Sequence, residues 1–363
     1  MRIEPVSLSV LALLAGCGSA DTASPPDALP GDGGDTGAVG DSGSAEAAPP
    51  ADASGRVTGI AVGEGGLALR TWDDGHTWVA GATGTTATLR RLDARPGGAV
   101  IRASGDGVIL RTTDRGATWT SEHTDTTDWF SVRFIDDLHG WAVGRRASGG
   151  GSVLRTADGG ATYVEVPMPA VDARWYSQIA FVDAVNGWIS GAAGDGSALV
   201  LHTMDGGASW SAQQLGTGLT GLDNIFFVSK TTGWAIELSG GTVLSTKDGG
   251  QTWRRGDAAG QYGLFAIDDR TVWVSGELPS LHDSLGVLAV SIDGGVSFTR
   301  RDLHTPHDDI VRYGIQAVYF SSQKRGYLCG SYGEFGYTID GGVSWGVQNL
   351  PGFPNLYDIL MDL

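Results

Sequence analysis

Thr246-Lys247-Asp248-Gly249-Gly250-Gln251-Thr252-Trp253 decides the fold, because its pattern occurs seven times along the chain. The copies begin at Thr71, Thr112, Thr156, Thr203, Thr246, Ser291 and Thr338, and each reads Ser/Thr-x-Asp-x-Gly-x-Ser/Thr-aromatic. Their aspartates, Asp73, Asp114, Asp158, Asp205, Asp248, Asp293 and Asp340, are spaced by 41, 44, 47, 43, 45 and 47 residues. The closing aromatics are Trp78, Trp119, Tyr163, Trp210, Trp253, Phe298 and Trp345. A carboxylate at the third position can accept hydrogen bonds from amides just downstream and so close a turn. Glycine supplies the positive φ that a tight hairpin requires, and the final aromatic covers apolar surface. A short apolar strand such as Val243-Leu244-Ser245 precedes the turn. Seven hairpins at this repeat length predict a propeller or a related array.

Working outward, a second signature precedes most copies: Gly140-Trp141-Ala142-Val143-Gly144, Gly187-Trp188-Ile189-Ser190-Gly191, Gly233-Trp234-Ala235-Ile236 and Gly326-Tyr327-Leu328-Cys329-Gly330. Before that comes an apolar alternation such as Phe130-Ser131-Val132-Arg133-Phe134-Ile135-Asp136. The first unit lacks this leading strand, whereas Leu356-Tyr357-Asp358-Ile359-Leu360-Met361-Asp362 supplies one after the last turn. The expected fold is therefore all-β: a seven-bladed β-propeller of four-stranded antiparallel blades over residues 55–363. The C-terminal strand is expected to join the N-terminal blade and remove the open edges.

The repeated turn resembles the Asp-box, or BNR, repeat of bacterial sialidases, sortilin-type receptors and some glycoside hydrolases. With the Gly-Trp strands, the whole unit looks like the photosystem II stability/assembly factor family of propellers. That resemblance covers residues 55–363 and implies assistance in assembling a protein partner.

The N-terminal residues have a different character. Val6 to Leu14 form an apolar run too short to span a bilayer, followed by Leu14-Ala15-Gly16-Cys17. Residues 1–17 are thus expected to be a lipoprotein signal peptide with a lipobox, and Cys17 the lipidated residue. Residues 18–54, rich in Ala, Pro, Gly and Asp, have too little apolar surface to fold and are expected to form a solvated tether. Gly18 after Cys17 points to the outer membrane of a bacterial envelope.

The 363-residue chain has 58 glycines, 12 tryptophans and a net charge of −17, a balance that opposes nucleic-acid binding. Only two cysteines occur, so no internal disulfide is expected once Cys17 carries lipid. The histidines show no metal-ligand spacing, and no metal or cofactor is expected. His304, His307, Asp308 and Asp309 form the one suggestive cluster, which reads better as a polar loop. The seven box aspartates serve identical turns and are assigned a structural role.

Loops opposite the box turns are the expected partner-binding rim. Its candidates are Trp129, Arg145, Arg146, Arg174, Trp175, Tyr176, Glu277, His282, Arg312 and Tyr313, since arginine and aromatic side chains suit recognition surfaces. Three functions fit. The first is a monomeric, lipid-anchored scaffold binding an envelope protein or peptide. The second is a glycoside hydrolase, sialidase-like or xyloglucanase-like, needing a pair of facing carboxylates. The third is a carbohydrate-binding surface module.

Overall fold

The computed structural model describes residues 56–95, 99–169, 171–258, 260, 262–278, 285–301, 303, 314–350, 352 and 355–363. The expected signal peptide, Cys17 and the tether lie outside the described residues, as do His282, Arg312, Tyr313 and the His304–Asp309 cluster.

The propeller architecture is present, but hydrogen bonding groups the strands into six blades instead of the expected seven. Five are four-stranded. The first comprises Leu356–Met361, Gly59–Gly63, Ala68–Thr71 and Val79–Ala80. The third comprises Ala173–Phe181, Gly187–Ala193, Ala198–Thr203 and Ser211–Ala212. The fourth, fifth and sixth are led by Leu222–Phe227, Gly263–Ala266 and Ile315–Phe320.

The second blade accounts for the difference. It has six strands: Leu89–Ala94, Ile101–Thr112, Thr120–Phe134, Gly140–Arg146, Gly151–Thr156 and Val164–Glu165. Thr120–Phe134 runs for 15 residues, pairing first with Ile101–Thr112 and then with Gly140–Arg146. The polar run Glu122 to Asp128 stays extended where a break between two repeats was expected. Within it, Asp125 accepts hydrogen bonds from Thr127 N at 2.7 Å and Trp129 Nε1 at 3.1 Å. Pairing therefore continues through two repeat units, and this blade carries both the Thr112 and the Thr156 boxes.

Closure by the C-terminal strand is as expected. Gly59, Ile60 and Ala61 pair antiparallel with Met361, Leu360 and Ile359. Leading strands of successive blades contact one another, except that in the second blade Thr120–Phe134 stands between Leu89–Ala94 and the third blade's Ala173–Phe181. Leu356–Met361 touches the leading strands of both its neighbours. These strands consequently form the inner wall of a closed ring around an axial channel.

Second strands lie deepest, as Gly233–Glu237, buried at every position, illustrates. Covered on both faces, such strands read as continuous apolar runs rather than alternating ones. Their tryptophans pack on a phenylalanine of the next leading strand: Trp188 stacks on Phe227 with centroids 3.6 Å apart, and Trp273 on Phe320 at 5.1 Å. Burying aromatic area between blades supplies cohesion at roughly 25 cal/mol per Å² of apolar surface.

Candidate functional site

The box turns define one rim. In the Thr246 copy, Thr246 Oγ1 donates to Asp248 Oδ1 at 2.8 Å and accepts from Gly250 N at 2.8 Å. Asp248 also accepts from Thr252 N at 2.9 Å and Thr252 Oγ1 at 2.6 Å. Gly250 has φ +90°, which a side chain would strain. The same bonds recur in the other six copies. Hydrogen bonds from the closing hydroxyl and its backbone amide hold Asp158, Asp205 and Asp340 down at about 2. Each carboxylate is thus committed to its own turn.

The opposite rim holds the residues singled out for recognition, and most are occupied within the protein. Trp129 is fully buried. Trp175 is buried against the second-strand residue Ala192 and against Gly221, where a Cβ would sit 2.8 Å from its ring. Tyr176 is also buried, which raises its phenol to about 12. Arg145 pairs with Asp128 at 3.0 Å, and Arg146 pairs with Glu165 and the Gly151 carbonyl. Arg174 is exposed, its guanidinium 5.2 Å from the Trp175 ring. Glu277 accepts from Tyr262 OH at 2.7 Å. The structure thus brings together Asp128, Arg145 and Arg146 on one blade, and Arg174 with Trp175 on the next.

Inward from this rim, the mouth of the axial channel carries charges. Arg90 stacks on Phe130 at 5.5 Å and pairs with Asp106 at 2.9 Å. Burial raises the half-buried Asp223 carboxyl to about 6, opposed by the Arg91 and Arg90 guanidiniums. Asp223 belongs to the fourth blade and the arginines to the second, so these groups face one another across the channel. Nearer the box rim, Phe226, Phe265 and Tyr319 of three successive leading strands form an arc, with centroids 5.3 and 5.4 Å apart. An arginine-lined mouth above an aromatic arc can hold an extended chain with acidic and apolar side chains.

Other polar groups are tied more closely to structure. Glu237 accepts from Thr220 N at 2.9 Å. Burial alone pushes the Glu334 carboxyl up to about 8, and its Oε2 has no hydrogen-bond partner. Among the described residues, no group of three His, Cys, Asp or Glu is placed to hold a metal ion. Cys329 is buried in a strand, and burial raises its thiol well above the usual value. A cleft of about 630 Å³ lies beside the box rim of the second blade, lined by residues including Arg102, Arg111, Glu122 and Phe134.

Residues 119–261, less than half of the chain, match the family model described as photosynthesis system II assembly factor YCF48. The chain is a BNR-type propeller resembling that assembly-factor family. Solved structures agree on the fold. "YCF48 bound to D1 peptide" is 18% identical, with a TM-score of 0.55 over 79% of this chain and 86% of that one. YCF48 from Cyanidioschyzon merolae is 20% identical, with a TM-score of 0.56 over 80% and 89%. A GH74 xyloglucanase from Xanthomonas campestris is 14% identical, with a TM-score of 0.60 over 81% of this chain and 55% of the enzyme. The BNR propeller therefore spans about half of that enzyme. No curated protein sequence matches the chain.

Sequence reasoning passed over the channel residues of this BNR propeller. Arg90, Arg91, Phe130 and Asp223 fall in strands read for their apolar alternation alone. Aligning the leading strands with one another would have exposed them, because charged residues there interrupt an otherwise apolar or neutral register.

Proposed function

We propose that this propeller is a non-catalytic scaffold of the bacterial cell envelope, held by lipid on Cys17, that binds a protein or peptide during assembly of its partner. The observation that carries this reading is the channel mouth, where Arg90, Arg91 and Asp223 meet beside Phe130. Charged groups of both signs beside an aromatic ring select a polypeptide segment by its charge pattern. The likeness to an assembly-factor family, one member of which is described as bound to a D1 peptide, supports the same class of partner.

The test is capture of partners from a solubilised membrane fraction by the wild-type chain and by an Arg90→Glu/Phe130→Ala variant with unchanged melting temperature. The expected outcome is a stoichiometric partner whose affinity falls at least about tenfold in the variant. Equal capture by both proteins, or release of sugar from envelope glycans by the wild type, overturns the scaffold reading.

A further inference from the structure

We propose that the box rim is a membrane-docking face that rests on the headgroup–acyl boundary of the bilayer holding the Cys17 lipid. The proposal rests on the lipid-anchor reading above and adds an orientation and a second contact.

Exposed apolar side chains supply the first observation. Eight large ones are exposed among the described residues, and six of these lie on the box rim: Leu138, Val185, Met204, Ile292, Ile339 and Val343. Ile292, Ile339 and Val343 are 69–76% exposed, far beyond what packing within the ring explains. Their position follows from the turn. Met204, Ile292 and Ile339 occupy the second place of their boxes and Val343 the sixth of its own, so all project beyond the hydrogen-bonded loop. The Leu138 and Val185 carbonyls accept from box glycines Gly159 and Gly206 at 2.9 and 3.0 Å, which fixes their turns on the same rim.

Charge placement is the second observation. The chain has only three lysines, Lys230, Lys247 and Lys324, and all three are on this rim. Lys247 is at the second place of its box. The neighbouring Thr231 carbonyl accepts from Gly249 N at 2.8 Å, and the Lys324 carbonyl accepts from Gly341 N at 2.9 Å. The box carboxylates beside them are bound within their turns. The rim's aspartates keep their charge, and Lys247 Nζ already donates to the Asp269 carbonyl at 3.1 Å. The lysines therefore offset only part of the acidic charge, and the aliphatic tips carry the interfacial contact.

Chain direction is the third. Gly59 pairs with Thr71, the first residue of a box, and Asp74 N donates to Thr58 Oγ1 at 3.2 Å. The polypeptide therefore enters the ring on the box rim, and the segment leading back to Cys17 joins it there. The same orientation turns the channel mouth and its arginines towards the aqueous side.

A full-length Cys17→Ser chain, which cannot be acylated, isolates the docking contact from the lipid. It is mixed with vesicles of phosphatidylethanolamine containing a minority of phosphatidylglycerol, and bound protein is measured by flotation. Weak but measurable binding is expected, falling at least about tenfold when Ile292, Ile339 and Val343 are all replaced by Asp. Melting temperature confirms that these exposed replacements leave the ring folded. No vesicle binding by the Cys17→Ser chain, or equal binding by the triple variant, overturns the proposal. So does a shift from dimer to monomer on triple substitution, which would assign the face to a second copy. The lipid reading fails separately, if the unaltered chain fractionates from cells without membranes.

Discussion

At the scale of single residues, the hydroxyl that opens each box matters as much as the carboxylate that names it. Thr246 Oγ1 is the acceptor for the buried Gly250 N–H and the donor that orients Asp248. Thr246→Val keeps the shape but strands that amide, at a cost of about 1–3 kcal/mol. Thr246→Ser keeps the bond and should stay close to the wild type; urea denaturation of both variants checks the pair. Ser291 performs the same role in its own box, with Gly295 N donating to its Oγ at 2.8 Å. This part of the molecule was legible in the sequence because one local mechanism, complete within eight residues, occurs seven times. Trp129, Trp175 and Tyr176 were legible as aromatics only. Whether such a ring faces solvent or the adjoining strand depends on contacts from distant segments, which local pattern does not encode.

At the scale of elements, two seams between strands share a contact that Trp141 and Trp273 do not make, their indole N–H groups being without a partner, and a third seam makes it with a different side chain. Trp188 and Trp234 donate their indole N–H to the first glycine of the box in the next blade, Gly249 O at 3.0 Å and Gly294 O at 2.8 Å. Arg102 stands at the corresponding place in Ile101–Thr112, covers Phe134 at 3.5 Å and donates to Gly159 O at 2.7 Å. Its guanidinium reproduces both the flat face and the N–H of the indole. Gln213 Nε2 also reaches Gly249 O at 2.9 Å, whereas Glu122, at the equivalent place after its own box, pairs with Arg102 at 2.9 Å. Both side chains are about 6–7% exposed. Arg102→Ala should therefore cost about 1–3 kcal/mol, since Glu122 loses its nearest cation and keeps only Arg111 at 3.6 Å and the Tyr163 hydroxyl at 3.1 Å. An Arg102→Trp/Glu122→Gln double variant should recover most of that loss, read by thermal and chemical denaturation. The blade boundary was lost to sequence reasoning in this same region. The repeat period marks two units, but the extended run from Glu122 to Asp128 joins their strands into a single ladder.

For the whole molecule, stability should depend on pH through the boxes collectively. Asp158, Asp205 and Asp340 are held at about 2, below the ordinary carboxylate value of 3.8. A depressed folded-state value stabilises the protein above the unfolded value, and that contribution disappears as pH falls through the folded one. Circular dichroism should accordingly show the melting temperature rising as pH falls from neutral towards about 5, where the Glu334 and Asp223 carboxyls, both raised by burial, take up protons in the folded state. A steep fall should follow between about 4 and 2 as the boxes lose their charge. A melting temperature that stays level to about pH 2 would show that the turns do not need their charge. Ring closure adds an obligation in time. The strand Gly59–Gly63 is made early but lies against Leu356–Met361, the last strand of the chain. Until that segment is in place, an apolar edge has no neighbour, so the first blade is complete only once two stretches far apart in sequence have met. Pairings across some 300 residues are slow to find. The ring therefore closes by a long-range pairing, and that closing step is the one expected to limit its folding rate.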